Sequence, residues 1–261
     1  MEYENKKSFF RNHINAHAFF RKVFYLLLDL LILRQWYVKR AIRKYLPKDK
    51  EILFYDAGAG FCQYSDFVLN LTKTAKVYAT ELVTDSLRDY SASLSPDKQK
   101  RFYYTVADLT TFALPDTKAD FVIAIDILEH ITDDVAVLNC FYSSMNEGAV
   151  LLITTPSDYN NTASFTAEHV RDGYSICDIT QKVTSSGFKI LETVYTYSFW
   201  GRLYWILVMR NSLWLVDKSV LTLFILPIYL LTVFLPSFIF MCIDFMISKK
   251  NGYGILLVAK K

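Results

Sequence analysis

Ile52-Leu53-Phe54-Tyr55-Asp56-Ala57-Gly58-Ala59-Gly60 is the stretch on which the fold turns. Four apolar residues rich in strand formers end in a carboxylate, and two glycines follow at a spacing of two. From Gln63 a helix-compatible segment begins. The pattern is that of a buried parallel strand, a tight turn whose backbone can pass close to a ligand, and a helix. Open α/β sheets bind nucleotides at such turns, at the carboxyl ends of their strands.

Which nucleotide depends on the glycine spacing. A dinucleotide-binding dehydrogenase requires G-x-G-x-x-G, and the position of the third glycine holds Gln63. An NAD(P)-dependent reductase is therefore the weaker alternative. The segment instead resembles the first motif of class I S-adenosylmethionine-dependent methyltransferases, an acidic residue followed by G-x-G. The resemblance implies that Asp56 lies near the cationic methionine end of the cofactor and that Gly58 and Gly60 let the backbone pass it. Where that family commonly carries a further glycine, this chain has Cys62.

Later segments repeat the strand-then-acid arrangement. Val77–Glu81 is a second short strand, whose terminal carboxylate can accept both ribose hydroxyls. Phe102–Val106 is a third, followed by Asp108 and Leu109, where the family places a residue near the adenine amino group. Asp120–Asp126 and Ala149–Thr154 are the fourth and fifth, Phe188–Val194 the sixth and Tyr253–Ala259 the seventh. Strands alternating with helical stretches predict a parallel sheet. The expected fold is α/β: a Rossmann-like, seven-stranded methyltransferase sheet, mostly parallel with an antiparallel last strand, plus N-terminal amphipathic helices. Residues 48–199 and 251–261 would form that domain, after a basic, aromatic-rich N-terminal segment at 1–47.

Asp126-Ile127-Leu128-Glu129-His130 follows the fourth strand. It resembles the acidic-x-x-Glu-His signature of many small-molecule methyltransferases, including the ubiquinone-biosynthesis O-methyltransferases. That resemblance implies roles for Asp126, Glu129 and His130 in catalysis or in holding a divalent metal such as Mg2+, with Asp126 also beside the cofactor. A metal would acidify a phenolic hydroxyl; without one, His130 is the candidate general base. The structural alternative is that Glu129 and His130 cap the next helix and orient the cofactor loop. Related enzymes carry a His-x-Arg-x-x-(Tyr/Phe) segment, matched here by His169, Arg171 and Tyr174. His169 is a second base candidate, and Ser175-x-x-Asp178 is a capping box for the helix that follows.

Composition frames the remainder. Residues 1–50 carry twelve Lys/Arg against four Asp/Glu, a net +8 in a chain whose total is +3. The arm is also aromatic, but Phe24–Leu33 is too apolar for a phosphate-binding face, so nucleic acid is not expected. It reads as an interfacial helix drawn to anionic lipid, with a helix that merely caps the sheet as the plainer alternative. Cys62, Cys140, Cys177 and Cys242 form no C-x-x-C or Cys/His cluster, which suits a reducing compartment. No secretory signal is recognised.

Val220–Ile243 is 24 residues without a charge, long enough at about 36 Å to cross a bilayer. It stands, however, between two strands of one sheet, so both its ends must return to the same side. The expectation is a helical hairpin over 200–250 docked in one leaflet, bent at Pro227 and Pro236, with Trp200, Tyr204, Trp205 and Trp214 at the interface. A soluble lid or a dimer contact is the alternative. The expected activity is methylation of a small hydrophobic or lipid-linked acceptor, of phenol or quinol type, at the cytoplasmic face of a membrane. The rival class is a methyltransferase-like membrane scaffold that has lost catalysis.

Overall fold

The structure is a computed structural model and describes residues 18–47, 50–115, 117–159, 169–212 and 222–261. Seven strands make one sheet: β1 (Ile52–Ala57), β2 (Ala75–Glu81), β3 (Phe102–Val106), β4 (Ala119–Ile125), β5 (Met145–Pro156), β6 (Lys189–Thr196) and β7 (Gly254–Lys260). Their order is β3-β2-β1-β4-β5-β7-β6, with β7 antiparallel to both its neighbours and the other pairings parallel. This is the sheet the sequence predicted. β1 and β4 are apolar on both faces because helices cover both faces, and nearly every residue in them is buried. Outward from them, β3 and β6 alternate more and are only partly buried, as strands at the sheet's edges do.

The helices are α1 (Ala18–Leu31), α2 (Leu33–Tyr45), α3 (Gln63–Leu71), α4 (Thr84–Ala92), α5 (Pro96–Gln99), α6 (Asp134–Ser143), α7 (Ile176–Ser185), α8 (Phe199–Tyr204) and α9 (Thr222–Met246), with a 3-10 turn at Leu128–His130. α8 runs straight into a π-helical stretch, Trp205–Arg210. The capping box at Ser175 is present, its hydroxyl accepting from the Asp178 amide at 3.0 Å.

The N-terminal segment and the apolar insertion both share the core with the sheet. α2 buries Leu33, Tyr37, Val38, Ala41 and Ile42 in one cluster with Ile52, Phe54 and Val77. Side chains of that size each contribute roughly 1.5–3 kcal/mol when fully buried. The cluster also takes in Tyr204, Val208 and Met241 of the insertion, with Phe234, Phe238 and Phe245 packed against it. α2 thus caps the sheet.

Two details of the insertion correct the sequence reading. Pro227 and Pro236 do not break the chain, since α9 continues through both. Tyr204 is not an interfacial aromatic: it is buried, and its hydroxyl donates to the Leu31 carbonyl at 2.8 Å. Trp214 and the connection between the π-helical stretch and α9 lie outside the described residues. Among the described residues no helix is long and apolar enough to cross a membrane.

Candidate functional site

The turn after β1 is built as the motif requires. Gly58 has φ +70°, and a Cβ there would stand 2.3 Å from Ile127 Cδ1. The loop after β4 therefore packs directly on the glycine turn. Gly60 has φ +53° and nothing within 4 Å of its missing Cβ, so its backbone borders open space. Cys62, the residue in the place of a further glycine, is left-handed as well, at φ 58°. The backbone keeps the glycine conformation, and the small thiol is fully buried beneath it.

The strand-end acids divide by role. Asp56 is buried and accepts from the Ser65 hydroxyl on α3 at 2.6 Å. Burial pushes its carboxyl up to about 7. Glu81 spans the turn, taking the Gly60 amide on one oxygen at 2.8 Å and the Leu82 amide on the other at 3.0 Å. Asp108 is exposed and accepts from the amide and hydroxyl of Thr110, which hold it below its ordinary value, while Leu109 turns into the core. The open backbone at Gly60, the ribose-competent carboxylate beside it and Asp108 at the next strand end fit a nucleoside cofactor. S-adenosylmethionine, when bound, supplies a methyl group already activated by sulfonium charge.

α1 closes over the same turn. The Tyr25 hydroxyl donates to the Phe61 carbonyl, the Phe24 and Phe61 rings lie 4.9 Å apart, and Arg21 reaches Ser93 beyond α4. The sequence left open whether this helix faces lipid or covers the sheet, and it did not point to the turn after β1 as what α1 covers.

Asp126 sits left-handed at φ 52°, a conformation aspartate tolerates better than most side chains. One oxygen accepts from Thr154 at 2.7 Å and the other pairs with Arg34 of α2. The side chains of Glu129, His130 and His169 are brought together without it, their ligand atoms all within 4.8 Å of one another. Among the described side chains Glu129, His130 and His169 could hold a cation together, whereas the expected set of Asp126, Glu129 and His130 includes an acid that Arg34 and Thr154 already engage. Two imidazoles and one carboxylate suit a borderline ion such as Zn2+ far better than Mg2+, which prefers oxygen donors. Glu129 is buried, its carboxyl pushed by that burial to about 7, with Thr155 3.4 Å away. The His130 and His169 rings meet edge-to-face at 4.5 Å.

The His-x-Arg-x-x-Tyr segment works as a latch. Arg171 and Tyr174 both reach Asp134 at the start of α6, and Arg171 also donates to the Ile131 and Thr132 carbonyls at 2.8 and 2.9 Å. Lys182 joins the same carboxylate at 2.8 Å. Burial alone would raise Asp134, but these partners hold it below its ordinary value. The latch fixes the chain on which His169 stands.

A cavity of about 400 Å³ opens beside this group. Asp126, Thr154, Thr155 and His169 form its inner wall, whereas His130 is not among its lining residues. The outer wall comes from the α1–α2 junction and from the insertion, including Tyr204, Trp205, Ile206 and Met209. Sequence reading did not find Arg34, Arg202 or Arg210, which also face it. The junction is non-helical at Ile32 and is held there by the Arg34 amide on the Tyr197 hydroxyl at 3.0 Å and by Tyr204 on Leu31.

Residues 55–153, fewer than half of the chain, match the family model described as a methyltransferase domain. No curated protein matches the sequence. Similar solved structures include the (4+2)-cyclase SpnF, at TM-score 0.60 and 13% identity, covering 86% of this chain and 79% of that one. Phosphoethanolamine N-methyltransferase 2 from Haemonchus contortus, in complex with S-adenosyl-L-methionine, aligns at TM-score 0.59 and 17% identity, over 87% of this chain and 52% of its own. A TehB-like methyltransferase from Corynebacterium glutamicum aligns at 0.52 and 12%, over 85% and 86%. At such identities these likenesses speak for the fold, and the cyclase is a reminder that one fold hosts several chemistries. The chain thus has the fold of these structures, and its central strands, residues 55–153, match a methyltransferase domain.

Proposed function

We propose that the chain methylates an oxygen of a hydrophobic, membrane-dissolved acceptor of phenol or quinol type, working at the cytoplasmic face of a membrane. The observation that carries this is the cavity: its inner wall holds His169 and Asp126, the residue before the Ile127 that packs on Gly58, and its outer wall is largely apolar between its arginines. In the transfer, the acceptor oxygen forms its bond to the methyl carbon as the carbon–sulfur bond breaks and its electron pair returns to sulfur. The hydroxyl proton passes to a base, for which His169 is the lining candidate, with His130 against its ring. Alignment and exclusion of water are most of what such a reaction asks of the protein. If a cation is held by Glu129, His130 and His169, it would make a nearby hydroxyl more acidic; no step here depends on it.

Two apolar faces left exposed among the described residues support the membrane reading. On α1, Phe19, Val23, Leu26 and Leu30 recur at helical spacing and are exposed; on α9, Ile228, Leu231, Leu235 and Ile239 do the same. Deleting the insertion would unfold the core it shares, so the test uses Leu231→Glu with Leu235→Glu. Loss of flotation on anionic vesicles with an unchanged melting temperature is expected, and undiminished flotation would sink the anchoring role of α9. Labelled cofactor incubated with a membrane lipid extract should give a labelled, organic-extractable product.

A further inference from the structure

The charge balance of the cavity does not suit a neutral acceptor alone. Three arginines face it, and the one carboxylate among its described lining residues, Asp126, is already engaged by Arg34 and Thr154. Arg202 has no ion-pair partner among the described residues. Its guanidinium lies 4.1 Å from the centre of the Tyr253 ring, which holds it in place, and its Nη1 is buried without a hydrogen-bond acceptor. A planar cation held on an aromatic face and short of an acceptor is arranged for an oxyanion.

The surroundings define the remainder of the ligand. Next to Arg202 in the chain, Trp205, Ile206 and Met209 make an apolar strip along the same cavity, and Leu31 and Ile32 stand across it. A free inorganic anion would leave that strip wet, and a plain hydrocarbon would leave the guanidinium unanswered.

We propose that the acceptor is an acid-headed amphiphile, its phosphate or carboxylate held by Arg202 with Arg210 beside it and its apolar chain lying along Trp205, Ile206 and Met209. The acid group is additional to the oxygen that takes the methyl. This inference rests on the methyltransferase reading of the same site, and it explains why an insertion between β6 and β7 carries cations into an otherwise apolar wall.

The test is calorimetric titration of the full chain, with and without S-adenosylhomocysteine, using dodecyl phosphate, dodecanoate, dodecanol and inorganic phosphate below their aggregation limits. One of the two acid-headed probes should bind at least about tenfold tighter than both dodecanol and inorganic phosphate. The tighter of the two identifies the head. Arg202→Gln should abolish that preference and Arg202→Lys should keep part of it, with S-adenosylhomocysteine affinity held in both. Equal binding of dodecanol, or a preference that survives Arg202→Gln, would overturn the proposal. Failure of S-adenosylhomocysteine to bind would count against the methyltransferase reading instead, and the titration without it would still decide the question of the head.

Discussion

Asp244 should be the side chain on which the insertion depends most. It ends the longest uncharged stretch of the chain and is fully buried. One oxygen accepts from the Ser198 amide at 2.8 Å, the Ser198 hydroxyl and the Gly201 amide at 3.0 Å, so it caps the first turn of α8. The other accepts from Tyr37 of α2 at 2.9 Å, and Lys249 stands 3.6 Å away. The carboxylate can come this close because residue 201 is glycine: a Cβ there would lie 2.9 Å from its Cγ.

Asp244→Ala removes the acceptor for two backbone amides and two hydroxyls and leaves a nearly buried Lys249 without its counter-charge. Each hydrogen bond to a charged group is worth about 1.5–3 kcal/mol, but the losses overlap. Breaking a buried pair by removing one partner costs about 3–5 kcal/mol, and the same range is the sensible expectation here. In a chain of this size that corresponds to a fall in melting temperature of about 10 °C. Hydrogen exchange should accelerate at Ser198–Arg210 before it does in β1 and β4. A variant that loses less than about 2 °C, with α8 amides as protected as before, would refute this account of how the insertion is held.

Other outcomes follow from the same geometry. Asp56 and Glu129 are both pushed up to about 7 by burial, so between about pH 4 and 7 the folded chain binds more protons than the unfolded one. Stability should therefore fall as pH rises through that window and level off above it; Glu129→Gln should flatten the slope in a series of thermal melts from pH 5 to 8. Gly58→Ala forces a side chain into Ile127 at φ +70° and should abolish S-adenosylhomocysteine binding by calorimetry while β-sheet circular dichroism persists. At Cys62, glycine relieves about 1 kcal/mol of left-handed strain but loses the buried thiol, so Cys62→Gly should melt within about 3 °C of the parent, whereas Cys62→Val should fall well below it.

The sheet was legible because its signal is local. The strands are short apolar runs, those of β1, β2 and β4 end at an acid, and the glycine turn at 58–60 marks where the first strand gives way to a helix. The cofactor side was legible for the same reason, since Gly60 and Glu81 meet across adjacent parallel strands whose register the turn sets. What sequence could not supply were pairings between distant segments. Arg34 and Asp126 lie 92 positions apart, and neither shows in its own neighbourhood that it will pair with the other. The prolines misled because helix-breaking is a local penalty that tertiary burial can outweigh: α9 packs Phe234, Phe238 and Met241 against the core on either side of Pro236.

The same limit explains the insertion. An uncharged run of 24 residues looks like a membrane segment, and in sequence Asp244 looks like the flank where it ends. In the fold that acid is fully buried and is the link between α8, α9 and α2. The consequence reaches the acceptor cavity, because the turn that Asp244 caps is the one carrying Arg202, whose amide donates to the Ser198 carbonyl at 2.8 Å. Asp244→Asn keeps an acceptor for the α8 amides but loses the charge. It should therefore spare most of the stability lost in Asp244→Ala while loosening Arg202, so that acid-headed probes bind more weakly and S-adenosylhomocysteine binds as before. Equal loss of both affinities would mean that Asp244 merely supports the fold and does not position the cation.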